Sequence, residues 1–217
     1  RVLFRSMFIP EHYQNHNTKE IHSFLKENSF GILINTFNGK PWGTHIPLEL
    51  SKNGHNKDVL VGHIAKANLQ SKNLTNGDEV LCIFNGPHSY ISSSWYKEEE
   101  VPTWNYIAVH IYGTVKIQTS EELLKSLHEL VDKYEQQSEQ PISLNDMSKK
   151  TMRQVSGIIG FEIEITDIQA VNKLSQGREH DHPKIISELE KQGAAEKAVA
   201  EEMKKRLPEQ TSDQANI

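Results

Sequence analysis

Gly86-Pro87-His88-Ser89-Tyr90-Ile91-Ser92-Ser93-Ser94-Trp95-Tyr96, answered by Pro102-Thr103-Trp104-Asn105-Tyr106, is the stretch on which the reading of this chain turns. It sets small hydroxyls, a histidine and large aromatics between two apolar runs. Upstream, Val80-Leu81-Cys82-Ile83-Phe84 is short, apolar and β-prone, and reads as a fully buried strand. Downstream, Ile107, Val109, Ile111, Val115 and Ile117 recur at alternating positions, so one face of a long strand points into a core. Two readings of the stretch between them stand side by side. Its aromatics and hydroxyls would line a planar ligand, or they would simply cover one end of a barrel.

Outward from that stretch the chain reads as short strands joined by turns. Asn17 and Glu20 have capping-box spacing ahead of Ile21, Phe24 and Leu25, which predicts a helix ending near Asn28. Strand 30–37 follows, then Asn38-Gly39, the residue pair suited to a two-residue hairpin turn. The return strand, 40–50, contains Pro47, which predicts an edge or a bulge. A third strand covers 59–64, and a short helix is expected over 65–74, stopped by Asn76-Gly77. Strand 79–85 is central, and Lys97-Glu98-Glu99-Glu100 reads as a solvated loop tip.

Thr119 and Glu122 form a second capping box, before a helix with Leu123, Leu124, Leu127, Leu130, Val131 and Tyr134 on one face. Ser143 is expected to cap a further helix running to Gly157. Two more strands follow, around Ile159 to Ile165 and over 168–174, with Ser175-Gln176-Gly177-Arg178 as a polar exit. Ile185, Ile186 and Leu189 suit a docked helix. From Gln192 onward too few apolar residues remain to bury a face, which predicts a loosely held helix over 194–207 and a disordered end. The sum is mainly β with peripheral helices, the pattern of a small barrel. Residues 1–6 read as a non-native leader, 7–186 as the domain and 187–217 as a charged helical tail.

Composition narrows the function. Lys and Arg number 24 against 29 Asp and Glu, a net charge of −5, and no basic run suggests a nucleic-acid footprint. No apolar stretch approaches membrane-spanning length, so a cytoplasmic location is the default. The single cysteine, Cys82, sits in an apolar strand and reads as a buried thiol. Eleven histidines raise the question of metal, yet none forms a metal-type pair within a regular element. His12 with His16, and His180 with His182, fall in polar loops. No nucleophile elbow, phosphate loop or dinucleotide fingerprint is present, and no catalytic residue is named.

Several segments, in order, resemble the PaiB-like FMN-binding proteins, negative transcriptional regulators of sporulation and degradative-enzyme synthesis. They are Phe8-Ile9-Pro10, Thr44-His45-Ile46-Pro47, Gly62-His63-Ile64-Ala65-Lys66-Ala67-Asn68, the Gly86 to Tyr96 stretch, Val101-Pro102-Thr103-Trp104-Asn105-Tyr106, Val109-His110 with Tyr112-Gly113, Ile158-Ile159-Gly160-Phe161-Glu162-Ile163 and Lys173-Leu174-Ser175-Gln176. Leu69-Gln70-Ser71 departs from the family's usual Pro-Gln-Trp. The resemblance implies an FMN-binding split β-barrel of the flavin-reductase and pyridoxamine-phosphate-oxidase kind, a homodimer with FMN at the subunit interface.

FMN needs donors for its phosphate, polar groups for its ring edge and an apolar wall. Lys66, beside His63 at an expected strand-to-helix junction, is the first candidate for the phosphate. Lys173, Gln176 and Arg178 form a second polar cluster, for the phosphate or the ring's pyrimidine edge. Thr44 and His45 lie on opposite faces of their strand, so a regular strand presents only one of them. Tyr90, Ser92 and Trp95 are candidates from the opening stretch. Each has an ordinary alternative as a core, interface or surface residue. Two rival functions remain open: a flavin-dependent oxidoreductase or haem-handling enzyme on the same barrel, and a repressor that contacts DNA directly. The charge argues against the latter.

Overall fold

The computed structural model describes residues 7–207. Helix α1 (Thr18–Glu27) opens it. Asn17 accepts from the backbone N–H of Lys19 and Glu20, and Asn28 closes the last turn, as the capping pattern requires. Strands β1 (Phe30–Phe37) and β2 (Lys40–Lys52) form the expected hairpin, with Asn38 at φ +49° and Gly39 at φ +73°. β3 (Asp58–Ala65), β4 (Glu79–Ile91), β5 (Thr103–Ile117) and β6 (Ile158–Lys173) complete six strands, closed in the order β1-β2-β3-β6-β5-β4. β1 and β4 close the ring at Ile32↔Ile83, Leu33↔Cys82 and Ile34↔Leu81.

Pro47 explains how β2 serves two neighbours. β2 pairs with β1 as far as Phe30↔Pro47, and with β3 from Leu48↔Gly62 onward. The residue without an N–H therefore stands where the strand changes partners, which spares a ladder bond. Leu48 donates instead to the Ser29 carbonyl (2.8 Å).

Two strands are longer than the sequence pattern predicts. β4 continues through the Gly86–Ile91 segment, and the two strands expected around 159–174 are one, β6. Val80, Cys82 and Phe84 are buried while Leu81 and Ile83 are only partly so. β4 is thus an alternating strand and not fully buried on both faces. Its buried parity changes across Gly86-Pro87, so Ser89 and Ile91 are buried and His88 and Tyr90 are exposed. Burial pushes the Cys82 thiol pKa well up, which makes it inert.

The chain divides into two units. The first contains Met7, His16–Asn85 and Val109–Gln169. Leu33, Leu48, Leu60, Phe84, Ile111, Phe161 and Ile163 are among its fully buried residues. Gly113 is required there: a Cβ would meet Ile163 and the carbonyl of Glu164. Helix α2 (Ser120–Glu135) carries the capping box of Thr119 and Glu122 and buries Leu123 and Leu127, but Leu124 and Tyr134 of the expected apolar face are exposed. The helix expected from Ser143 to Gly157 is broken. A 3₁₀ turn (Leu144–Asp146), the short α3 (Lys149–Met152) and a second 3₁₀ turn (Arg153–Gly157) replace it, with none of their residues buried.

The second unit contains Phe8–Asn15, Gly86–Ala108 and the chain from Ala170. Asn15 donates to the Ala170 carbonyl (3.0 Å), and Gln14 bridges to Val171. Helices α4 (His182–Glu190) and α5 (Ala194–Lys204) pack together. Ile185 and Leu189 are fully buried, as expected. The reading of a loose helix beyond Gln192 is corrected: Val199, Ala200 and Met203 of α5 have no exposed surface, and Met203 Sδ accepts from Asn105 Nδ2 (3.7 Å). Three residues at helical spacing suffice because α4 and the buried Asn105 cover them. The leader (residues 1–6) and the expected disordered end lie outside the described residues. Among the described residues no helix is long and apolar enough to cross a membrane.

Candidate functional site

In the first unit, the chain leaving β3 makes a tight polar junction. Asn68 Oδ1 accepts from the Gln70 N–H (2.9 Å), and the Asn68 N–H donates to the Ala65 carbonyl (2.9 Å). Only a 3₁₀ turn, Leu69–Asn73, follows, and no α-helix forms over 65–74. The expected helix-dipole contribution at Lys66 is therefore absent. The Lys66 N–H is also committed, to the Gly157 carbonyl (2.9 Å). What Lys66 offers is its ammonium. One donor goes to the Ser156 carbonyl (2.6 Å), and an ammonium has three.

Thr44 belongs to the same junction, because Asn68 Nδ2 donates to its hydroxyl oxygen (3.1 Å). That leaves the Thr44 hydroxyl proton for another acceptor. Thr44 shares strand parity with buried Ile46 and Leu48, and also with Trp42, which is 38% exposed. His45 points to the other face and stacks on Phe30 at 6.2 Å between ring centroids. His63 belongs to a further cluster of the first unit. It lies on the β3 face covered by α2, in a cavity with Glu49, Ser126, Glu129 and Leu130, and burial holds its imidazole pKa below the ordinary value.

Gln70 is the residue that sequence reasoning passed over. It is buried, and its amide nitrogen reaches the Leu33 carbonyl (3.1 Å), Asn35 Oδ1 (3.1 Å) and the Trp42 carbonyl (3.3 Å). Its Oε1 is buried with no hydrogen-bond partner. A buried acceptor left unpaired costs about 1–3 kcal/mol, so this oxygen would be stabilised by a donor. The available signal was an amide between two strand-like segments. Trp42 was missed as well, although its i, i+2 spacing from Thr44 carries the information.

In the second unit, Lys173, Gln176 and Arg178 line one pocket with Tyr13, Tyr96, Glu100 and Thr103. Lys173 Nζ donates to Thr103 Oγ1 (2.5 Å) and lies 5.8 Å from the centroid of the Tyr13 ring. Arg178 is ion-paired with Glu100, so Glu100 is not a freely solvated part of the loop tip. The Arg178 hydrogen bond lowers the Glu100 carboxyl pKa. Burial raises the pKa of both Tyr13 and Tyr96, keeping the phenols protonated. Gln176 is spent on its own turn: Oε1 accepts from the Leu174 N–H (2.7 Å) and Nε2 donates to the Asn172 carbonyl (2.5 Å).

The other candidates of this unit form separate clusters. Tyr90 is exposed and meets Trp104 edge-on at 6.2 Å, while Trp104 Nε1 donates to His88 Nδ1 (3.3 Å). Ser92 caps the 3₁₀ turn Ser93–Trp95, and the Trp95 N–H is taken by the Ser92 carbonyl (3.1 Å).

Residues 7–167 match the family described as "Putative FMN-binding domain". The chain belongs to this FMN-binding family. It is 41% identical to Protease synthase and sporulation protein PAI 2 of Bacillus subtilis, over 94% of this chain and 100% of that one. An uncharacterised protein of Emericella nidulans is 30% identical over 86% of this chain and 92% of its own length. Among solved structures, the FAD and heme binding protein from Mycobacterium smegmatis superposes with a TM-score of 0.59 at 13% identity, over 74% of this chain and 73% of that one. The flavocytochrome Anf3 from Azotobacter vinelandii gives 0.55 at 12% identity, over 76% and 72%. These likenesses establish the split-barrel fold.

The family's cofactor fits the donor chemistry of the β3 junction. The Lys66 ammonium and the Thr44 hydroxyl are donors of the type a phosphate needs, Trp42 offers an aromatic face, and Gln70 Oε1 is an acceptor without a donor.

Proposed function

We propose that this chain is a PaiB-type regulatory protein that binds FMN, works as a homodimer with the flavin at the subunit seam, and acts in the cytoplasm. The identity to the sporulation and protease-synthesis protein of Bacillus subtilis, over that protein's whole length, carries the reading. Lys66 and Thr44 hold the phosphate, Trp42 lies against the flavin, and Asn68 fixes the junction that presents them. The flavin supplies the redox chemistry when bound; the chain's residues bind and orient it. Exposed Phe30, Phe37 and Trp42 give the first unit apolar surface that a second copy would cover. Regulation through a partner or small molecule suits a chain of net charge −5 better than direct DNA contact does.

The test compares FMN with riboflavin, which lacks the phosphate, by quenching of flavin fluorescence. The wild-type chain binds FMN more tightly. Lys66→Ala weakens FMN by roughly tenfold or more and leaves riboflavin nearly unchanged. Equal affinities for the two flavins in the wild type, or no effect of Lys66→Ala on FMN, would refute this assignment.

A further inference from the structure

We propose that the pocket of the second unit formed by Tyr13, Tyr96, Glu100, Thr103, Lys173 and Arg178 binds a small carboxylate with a flat apolar body, and that Glu100 is its built-in competitor. The ligand proposed for it differs from the flavin assigned above. Lys173 and Arg178 lie beyond residues 7–167, the segment that matches the FMN-binding family.

The pocket has a cavity volume of about 350 Å³. That lies within the range for small-molecule sites. Its lining carries two cations and one carboxylate, and Asp181 and Glu98 also act on Arg178 from outside the lining. The planar fork of a guanidinium matches a carboxylate, and Glu100 already places one carboxylate oxygen on Arg178 Nη2. The Lys173 ammonium meets the Thr103 hydroxyl and the Tyr13 ring, so its charge is not spent on a carboxylate at these contacts. Tyr13 and Tyr96 supply aromatic surface for a flat ligand and, as protonated phenols, O–H donors for its oxygens.

Glu100 is held by Arg178 and by the Val101 N–H (3.0 Å), and its side chain is 25% exposed. It follows Lys97, Glu98 and Glu99, which are all exposed, and Arg178 is itself about half exposed (48%). An ion pair so placed is weak and screened by salt. A ligand carboxylate replaces the Glu100 carboxylate on Arg178, and the freed side chain turns to water. Apparent affinity is then the intrinsic affinity reduced by the fraction of time for which Arg178 is open.

The test is calorimetric titration of the full-length chain with sodium benzoate. The wild type binds saturably. Glu100→Gln removes the competitor and binds about tenfold more tightly. Arg178→Gln loses about tenfold or more. Lys173→Met, which leaves the Arg178–Glu100 pair in place, also weakens binding. Saturating FMN leaves the benzoate affinity unchanged. The proposal is overturned if Glu100→Gln binds no tighter than the wild type, if Arg178→Gln binds as well, if no variant binds, or if FMN displaces benzoate.

Discussion

At the scale of single residues, Thr119 and Glu122 show how local sequence and titration join. The Thr119 hydroxyl accepts from the Glu122 N–H (3.2 Å), and the Glu122 carboxylate accepts from the Thr119 N–H (2.8 Å). Those bonds lower the Glu122 pKa below its ordinary value. A carboxylate with a depressed folded pKa contributes stability that is complete above its unfolded pKa. That contribution is lost as pH falls through the folded pKa. Thr119→Ala should lower the unfolding free energy by about 1 kcal/mol in urea melts near neutral pH. Glu122→Gln should flatten the loss of stability below the ordinary carboxylate pKa. This pair, the Asn17 cap and the Asn38-Gly39 turn were legible in the sequence because each is a local rule satisfied within a few residues. Gln70 was not, because its partners Leu33, Asn35 and Trp42 are distant in sequence.

At the scale of elements, the errors share one cause. α5 was read as loose because its own composition gives few apolar positions, yet α4 and Asn105 bury Val199, Ala200 and Met203. Packing outweighed propensity. Met203→Ala should therefore cost about 2–5 kcal/mol in urea denaturation, as for a buried core methionine; a change below about 0.5 kcal/mol would place it on the surface. The Ser143 to Gly157 segment failed in the opposite direction. Its helical spacing of apolar residues meets no core, so it breaks into short turns with nothing buried. At Lys66, the step from strand to α-helix was misjudged, since Asn68 and Gln70 wire a 3₁₀ turn instead. The phosphate argument consequently rests on an ammonium and a hydroxyl, and not on a helix dipole.

At the scale of the whole molecule, short strands joined by closely spaced turn signals were enough to announce a barrel. They did not supply the strand order, in which β6 lies between β3 and β5. That order depends on long-range pairing such as Leu60↔Ile163, which no local pattern encodes. Function was legible through the ordered motifs and not through composition. Two groups of candidates stand out, Lys66 and Thr44 at the β3 junction and Lys173, Gln176 and Arg178 in one pocket, while His45, His63, Tyr90, Ser92 and Trp95 belong to neither. The central claim is that this chain is a flavin carrier. It is tested most directly by the visible absorbance spectrum of the full-length chain after dialysis against FMN and removal of free ligand. The account predicts a retained flavin band, close to a single FMN per chain, that is sharply reduced in Lys66→Ala. A colourless wild-type chain that retains no FMN after micromolar loading would contradict it.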